Sequence, residues 1–479
     1  MFRAFLKDSA IYAIPAFVSQ GLSIFLVPLY TRILRPADYG ALDMLLVFGG
    51  LVNLTVALEV SQGLARFYPD EPDSARKRAY ASSALWFSVG CYGLFVLAAL
   101  ANSAVLSTWV TGQNGLEPVF RVGVIHIGLS GIFCLLQNQF RWELRSRRYA
   151  ETSLLLTFVT AGSALWFTYG LGWGLAGLLW GMVLGGVAGT VYGGWWLRHS
   201  FALEFDRHRL WEMLRFSMPL VLSGIVVWAN IYIDRMMINH YLSLNEVGLY
   251  GIGYRLSSVV GLLIAGIQMA LMPLVYAHHR EPDTPLQLER IFRFFLAGAL
   301  LMFLGLSLFA RDILVIMTTP NFYSSAALVI YLVPAAMLAQ MYIFAPGIGI
   351  ARKTHLFFWF NLAGVIVNGT LNWVLIPMLG ISGAAIATLA SSACVFALCM
   401  VISQRLYPVP HGWGRLVMAT ILALALAILI PGMAPAGAMH WFLNIVGIVV
   451  MACGLIMMGL IRQDELKRAF QELRARLAL

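Results

Sequence analysis

Fourteen apolar stretches, each close to twenty residues long, recur along this chain. They lie near 10–31, 41–66, 80–102, 119–140, 152–171, 174–197, 216–239, 248–276, 291–310, 325–349, 356–378, 381–404, 415–431 and 441–461. A run of that length crosses the hydrocarbon core of a bilayer as a helix, because inside lipid the backbone must satisfy its own hydrogen bonds. Only 11% of the 479 residues are charged and 60% are hydrophobic. Soluble domains carry about a quarter charged residues, and no single aqueous core would hide so much apolar surface. The expected fold is all-α: a polytopic membrane protein of about 14 transmembrane helices with short loops and no soluble domain.

The charge distribution orients the spans. With the N-terminus placed in the cytoplasm, all but six of the 32 Lys and Arg residues fall in cytoplasmic segments, the bias expected of inward-facing loops. The net charge of +10 is therefore read as topology, and no nucleic-acid partner is expected. Both termini are expected in the cytoplasm and the number of spans to be even. No cleavable signal peptide is expected, because the first apolar run carries Pro15 and no small-x-small site follows it. Cys91, Cys134, Cys394, Cys399 and Cys453 all sit in apolar runs without metal-ligand spacing. They are read as packing residues, with no disulfide and no metal.

The six basic residues on the disfavoured side are Arg32, Arg35, Arg121, Arg235, Arg255 and Arg311. Four of them flank a repeated stretch. Pro15 opens an apolar run that ends in Thr31-Arg32-Ile33-Leu34-Arg35, before Pro36-Ala37-Asp38-Tyr39-Gly40. Pro219 opens a second run that ends in Asp234-Arg235, before Glu246-Val247-Gly248-Leu249-Tyr250. Ser19 then matches Ser223, Gln62 matches Gln268, Arg147-Arg148 matches Arg352-Lys353, and Gly174-x-x-Gly177 matches Gly380-x-x-Gly383, at offsets of 204 to 206 residues. Six spans separate the copies, so the expectation is two parallel six-helix repeats, a transporter plan. The expected lobes are 1–200 (spans 1–6) and 201–405 (spans 7–12). Residues 406–479 would add spans 13 and 14 and an amphipathic cytoplasmic tail, with Leu466, Phe470, Leu473 and Leu477 on one face.

Ionisable groups inside spans are costly and are functional candidates by default. Asp43 and Glu59 lie in the second span with Arg66 at its inner end, Asp234 and Arg235 end the seventh, and Arg255 lies in the eighth. Arg32, Arg66, Arg235 and Arg255 are the candidate cationic lining for a phosphate-bearing substrate, since guanidinium forks match phosphate oxygens. The blander alternative is that Arg32 and Arg235 snorkel or pair with Asp38, Asp43, Asp234 or Glu246, and that Arg66 anchors its helix. Glu59, Asp43 and Asp234 are the candidate coupling or charge-relay residues. A salt bridge between Glu59 and Arg66 is the structural alternative. His126 is expected to pack. Asn230, Asn361, Asn368 and Asn372 would either line a sugar path or join helices. No carboxylate pair in an outward loop, zinc-ligand pattern or phosphate-binding glycine loop is present, so no enzyme is expected.

The chain resembles bacterial polysaccharide-lipid flippases, the O-antigen and exopolysaccharide transporters of the multidrug/oligosaccharidyl-lipid/polysaccharide exporter superfamily. The resemblance rests on Leu29-Tyr30-Thr31-Arg32-Ile33-Leu34 with Pro36-x-Asp38-Tyr39-Gly40, on the second copy from Asp234-Arg235 to Tyr250, on Ala65-Arg66-Phe67-Tyr68, and on Gly380-Ile381-Ser382-Gly383-Ala384-Ala385. It covers the whole chain and departs at Arg35, where glycine is commoner. It implies two six-helix lobes in a V-shaped arrangement, alternating access and a cationic cavity. The implied substrate is an undecaprenyl-pyrophosphate-linked oligosaccharide repeat unit, flipped from the inner to the outer leaflet of the inner membrane for polysaccharide or lipopolysaccharide biosynthesis. No cofactor is expected; coupling would be to H⁺, Na⁺ or the membrane potential. Expected partners are membrane lipids and the polysaccharide polymerase and chain-length proteins. The alternatives are a multidrug or cation antiporter, a peptidoglycan-precursor flippase, an envelope glycosyltransferase or polymerase, and a non-transporting scaffold.

Overall fold

The computed structural model describes residues 2–433 and 437–461, so the expected amphipathic tail from Arg462 onward lies outside the described residues. The described residues form helices and no strand. Among the described residues, twelve helices are long and apolar enough to cross a membrane. The first and eighth expected spans are the 29-residue α1 and the 35-residue α10, defined below. The protein is thus a multi-pass, all-helical membrane protein, close to the fourteen spans that hydropathy predicts.

The chain divides into two compact units, Met1–Gly251 and Ile252–Leu479. The first holds α1 (Phe2–Tyr30), α2 (Pro36–Thr55), α3 (Val60–Phe67), α4 (Ser74–Ala101), α5 (Ser103–Thr111), α6 (Glu117–Trp142), α7 (Ser146–Leu165), α8 (Gly174–Trp196), α9 (Arg207–Tyr241) and the start of α10 (Leu244–His278). Proline starts α2, and the amide of Arg35 donates to Asp38 Oδ2 at 2.8 Å, capping its first turn. Asp73 and Asp206 cap α4 and α9, each accepting backbone amides of the first turn. A glycine ridge on α8 lets it lie close on its neighbours: Gly181 packs on Ala164 of α7, and Gly189 on Phe133 of α6. In lipid there is no hydrophobic force between helices, and close approach of small residues replaces it. α9 packs against α2, α3 and α4.

The second unit holds the rest of α10, then α11 (Thr284–Leu308), α12 (Ala310–Met317), α13 (Ala326–Gln340), α14 (Gly347–Ile350), α15 (Leu356–Leu379), α16 (Ile381–Leu406), α17 (Trp413–Met433) and α18 (Ala438–Met457). Gly380, at φ +61°, makes the one-residue turn between α15 and α16. The last two spans pack on α11. There the buried Arg293 donates through one guanidinium nitrogen to the carbonyls of Gly459 (3.0 Å) and Leu460 (2.8 Å), which follow α18. A cation on carbonyls just past a helix C-terminus satisfies its free acceptors.

Two expected spans are not continuous helices. The tenth breaks between α13 and α14, where Met341–Phe344 forms a 3-10 turn ahead of Pro346. The second breaks between α2 and α3. Residues 56–59 form a turn in which Leu58 (φ +49°) and Glu59 (φ +52°) both adopt the left-handed conformation. Such residues each cost about 1–3 kcal/mol unless the surroundings hold them. The hydroxyl of Ser217 on α9 donates to the carbonyl of Leu58 at 2.7 Å, which satisfies an acceptor freed by the break.

Candidate functional site

Two groups stand out among the functional candidates of the first unit, one with its charges paired and one without a counter-charge. The first is a closed cluster where the two repeated stretches meet. Gly40 on α2 lies against the backbone carbonyl of Leu244, and Gly248 on α10 against the carbonyl of Pro36; a Cβ at either glycine would overlap that oxygen. Gly251 is packed in the same way on the Asp43 carboxylate. This reciprocal backbone approach brings three charges together beneath it.

Asp234, Arg235 and Asp43 are respectively 1%, 5% and 7% exposed. Arg235 Nε lies 3.8 Å from Asp43 Oδ2, and an Nη lies 3.6 Å from Asp234 Oδ1. The same guanidinium donates to the Ile231 carbonyl at 3.1 Å and has the rings of Tyr232 and Tyr250 each 5.5 Å away. Asp234 accepts from the Arg235 amide at 3.0 Å and from the Tyr250 hydroxyl. Buried charges survive only when paired and hydrogen-bonded, and these are. Arg235 is therefore engaged with protein carboxylates rather than presented to a cavity. The snorkelling or pairing alternative describes its surroundings here.

The second group surrounds Glu59. The break in the second span places this residue on the wall of a cavity of about 210 Å³, with Asn53, Ser61, Gln62, Tyr92 and Asn138 also on its lining. Asn53 donates to Ser130 at 3.3 Å, and the Tyr92 hydroxyl donates to the Asn53 carbonyl at 3.4 Å, which fixes the wall. Glu59 has no ion-pair partner among the described residues. The expected alternative, a bridge to Arg66, is not formed: Arg66 pairs with Asp70, one turn on, at an exposed position. A carboxylate without a counter-charge, at a kink in a membrane helix, can take up a proton or hold a cation.

The remaining cationic candidates are dispersed. Arg32 is exposed in the turn after α1. Arg66 is exposed on α3. Arg255 is half-buried on α10, in the second unit. Of the asparagines, Asn368 and Asn372 are buried on α15 and bonded to each other at 2.8 Å. His126 lies inside α6, with Nδ1 buried and unbonded among the described residues. Sequence reasoning missed Tyr250, Gly40, Gly248 and Ser217 as determinants of these two groups. The glycines and Tyr250 lay in the quoted repeat motif, and their meaning was hidden because the contact runs between its copies.

A family model described as "Polysaccharide biosynthesis protein" matches residues 29–327. A curated relative, the Lsg locus protein 1 of Haemophilus influenzae, is 23% identical over 280 residues, which is 56% of this chain. The chain spans 65% of the length of that relative. Among solved structures, the lipid II flippase MurJ in an inward closed conformation superposes with a TM-score of 0.72 at 12% identity, covering 94% of this chain and 98% of that one. An inward-facing multidrug resistance MATE family transporter of the MOP superfamily gives 0.66 at 17% identity, over 81% and 94%. A MOP superfamily transporter from Pyrococcus furiosus, reported with a binding pocket of reverse polarity, gives 0.58 at 15% identity, over 83% and 95%. At these identities the likeness is one of fold.

Proposed function

This chain belongs to the polysaccharide biosynthesis protein family, and from that premise we propose that it is a flippase for lipid-linked oligosaccharides. It moves undecaprenyl-pyrophosphate-linked repeat units from the inner to the outer leaflet of the bacterial inner membrane by alternating access, and catalyses no covalent step. Both termini lie in the cytoplasm. The observation that carries the transport reading is the broken second span, which holds Glu59, without a counter-charge among the described residues, on the wall of a cavity inside the first unit. A membrane helix that merely anchors has no reason to carry two left-handed residues and a lone acid.

Glu59 is the coupling residue in this reading, taking up H⁺ or Na⁺. A pyrophosphate dianion leaving a negative interior gains about 2.3 kcal/mol per charge per 100 mV, so the membrane potential contributes as well. Arg255, half-buried in its span, is the cation assigned to the pyrophosphate, with Arg32 and Arg66 as exposed way-stations. The polysaccharide polymerase and chain-length proteins would receive the product.

The test is complementation of a strain that lacks its own repeat-unit flippase, with surface polysaccharide as the readout. Wild type should restore it, and Arg255→Ala should not while still inserting in the membrane. Full restoration by Arg255→Ala removes that residue from the site. Rescue of a strain lacking its peptidoglycan-precursor flippase, without restoring polysaccharide, would overturn the substrate assignment.

A further inference from the structure

The basic residues at the ends of spans read in the sequence as orientation signals, but the structure gathers some of them into a pocket. It has a volume of about 460 Å³, and Ser74, Lys77, Arg78, Arg145, His199 and Ser200 contribute to its wall. Ser74, Lys77 and Arg78 come from the first turns of α4, Arg145 from the α6–α7 connection, and His199 and Ser200 from the α8–α9 connection, which meet at one end of the first unit.

Several basic side chains at this end are already neutralised. Arg76 pairs with Glu71 and Asp73, Arg147 and Arg148 with Glu151, and Arg209 with Asp206. Lys77 and Arg78 differ. Neither has a carboxylate partner among the described residues, and the Lys77 ammonium lies 5.5 Å from the centre of the Tyr68 ring. The carboxylate on the pocket wall, Glu143, has its charge countered by Arg145, whose Nε lies 3.0 Å from Oε2, and its Oε1 accepts from Gln139 Nε2 at 2.9 Å and from the Tyr68 hydroxyl at 3.3 Å. The Trp142 indole N–H, also on the wall, is buried without an acceptor among the described residues. Two cations without a carboxylate partner and two hydroxyls on the lining make a recognition set for an anion with several acceptor oxygens. Beside them Leu144 is 84% exposed and held at φ +55°, an apolar side chain turned outward next to the basic pocket. Cationic wall and outward apolar residue together suit a lipid headgroup with its chain alongside.

We propose that this pocket binds the phosphoryl headgroup of a lipid in the adjacent leaflet, at a site separate from the Glu59 cavity. An anionic phospholipid and a polyprenyl diphosphate share that chemistry. The inference does not rest on the transport reading, since it is measured as binding.

The full-length protein, purified in detergent, is titrated by native mass spectrometry with dihexanoyl phosphatidylglycerol, dihexanoyl phosphatidylcholine and farnesyl diphosphate. At least one of the two anionic probes should bind about tenfold or more tightly than phosphatidylcholine, and the preference should shrink with salt. Lys77→Gln/Arg78→Gln should abolish the preference, while Lys77→Arg/Arg78→Lys keeps it. Arg147→Gln/Arg148→Gln, which alters the paired cations next door, should leave it unchanged. A stronger response to farnesyl diphosphate assigns the pocket to loading of a lipid diphosphate; a stronger response to phosphatidylglycerol assigns it to a structural lipid. Equal binding of anionic and zwitterionic probes by wild type overturns the proposal. So does anion binding that survives Lys77→Gln/Arg78→Gln with an unchanged melting temperature.

Discussion

The Asp43–Asp234–Arg235 cluster, which is buried, and Glu59, which is half-buried, both place charge inside spans of the first unit, and they differ in what their surroundings leave available. Each charge of the cluster faces an opposite charge, and Tyr250 and the Arg235 amide bond to Asp234 as well. Glu59 lies on a cavity wall and has no counter-charge among the described residues. The difference separates charges that neutralise one another from one left without a counter-charge. Rarity in a membrane span marks both equally, so it cannot tell them apart; pairing can.

Breaking the cluster should produce the largest effect. Arg235→Ala leaves two buried carboxylates without their cation, a loss of roughly 3–5 kcal/mol by the usual cost of orphaning one partner. Thermal unfolding in nanodiscs should show a strongly lowered midpoint and poor membrane accumulation. A well-folded Arg235→Ala protein that only fails to transport would return Arg235 to the substrate-contacting class.

Next in size is the contact that brings the cluster together. Gly40→Ala drives a methyl group into the Leu244 carbonyl, and Gly248→Ala drives one into that of Pro36. Overpacking against backbone costs roughly 1–3 kcal/mol. The two substitutions should destabilise by similar amounts and combine less than additively, because both spread the same pair of helices. Strict additivity in unfolding measurements would mean that the contacts act independently.

Glu59→Gln tests the other side of the comparison. The isosteric amide removes charge but keeps the shape, so stability should change by less than about 1 kcal/mol. Transport should fall by at least about tenfold, the lower range of a site-to-site coupling free energy, and should lose its dependence on the ion gradient. Destabilisation on the scale of Arg235→Ala would instead place Glu59 among the structural charges.

The spans were legible because lipid enforces a simple rule of length and polarity. The run predicted at 381–404 is α16 at Ile381–Leu406, and that at 356–378 is α15 at Leu356–Leu379. The break in the tenth span had a local mark in Pro346. The break in the second had none. Val56-Ala57-Leu58-Glu59 is a good helical sequence, and what accompanies its departure from the helix is distant: the Ser217 hydroxyl on the Leu58 carbonyl, and Met213 against Gly63. Likewise, Asp43 and Asp234 were among four acids that could pair with Arg235, and the sequence could not choose between them or between pairing and substrate contact. The Asp43–Arg235 pairing depends on a glycine contact between repeat copies that no local pattern reveals.

The smallest expected effect concerns a third way of treating a buried ionisable group, in which the charge is suppressed. His411, in the connection between α16 and α17, has both ring nitrogens buried without hydrogen-bond partners among the described residues. Its ring packs edge-on against Phe292, with centroids 4.7 Å apart, and against Trp413 at 5.2 Å. Burial pushes its pKa down to about 4, from an ordinary value of about 6.5. Between those values the unfolded chain binds a proton that the folded chain does not. Stability is therefore complete above about pH 6.5, falls as the pH drops toward 4, and levels off below that. His411→Phe should flatten this slope, seen as a smaller fall in melting temperature between pH 7 and pH 5 than wild type shows. The change should be modest because the residue is only half-buried. Glu59→Gln should leave this slope intact, and His411→Phe should leave ion-dependent transport intact. If either substitution moved the other's readout, the charge kept available and the charge kept suppressed would belong to one coupled system.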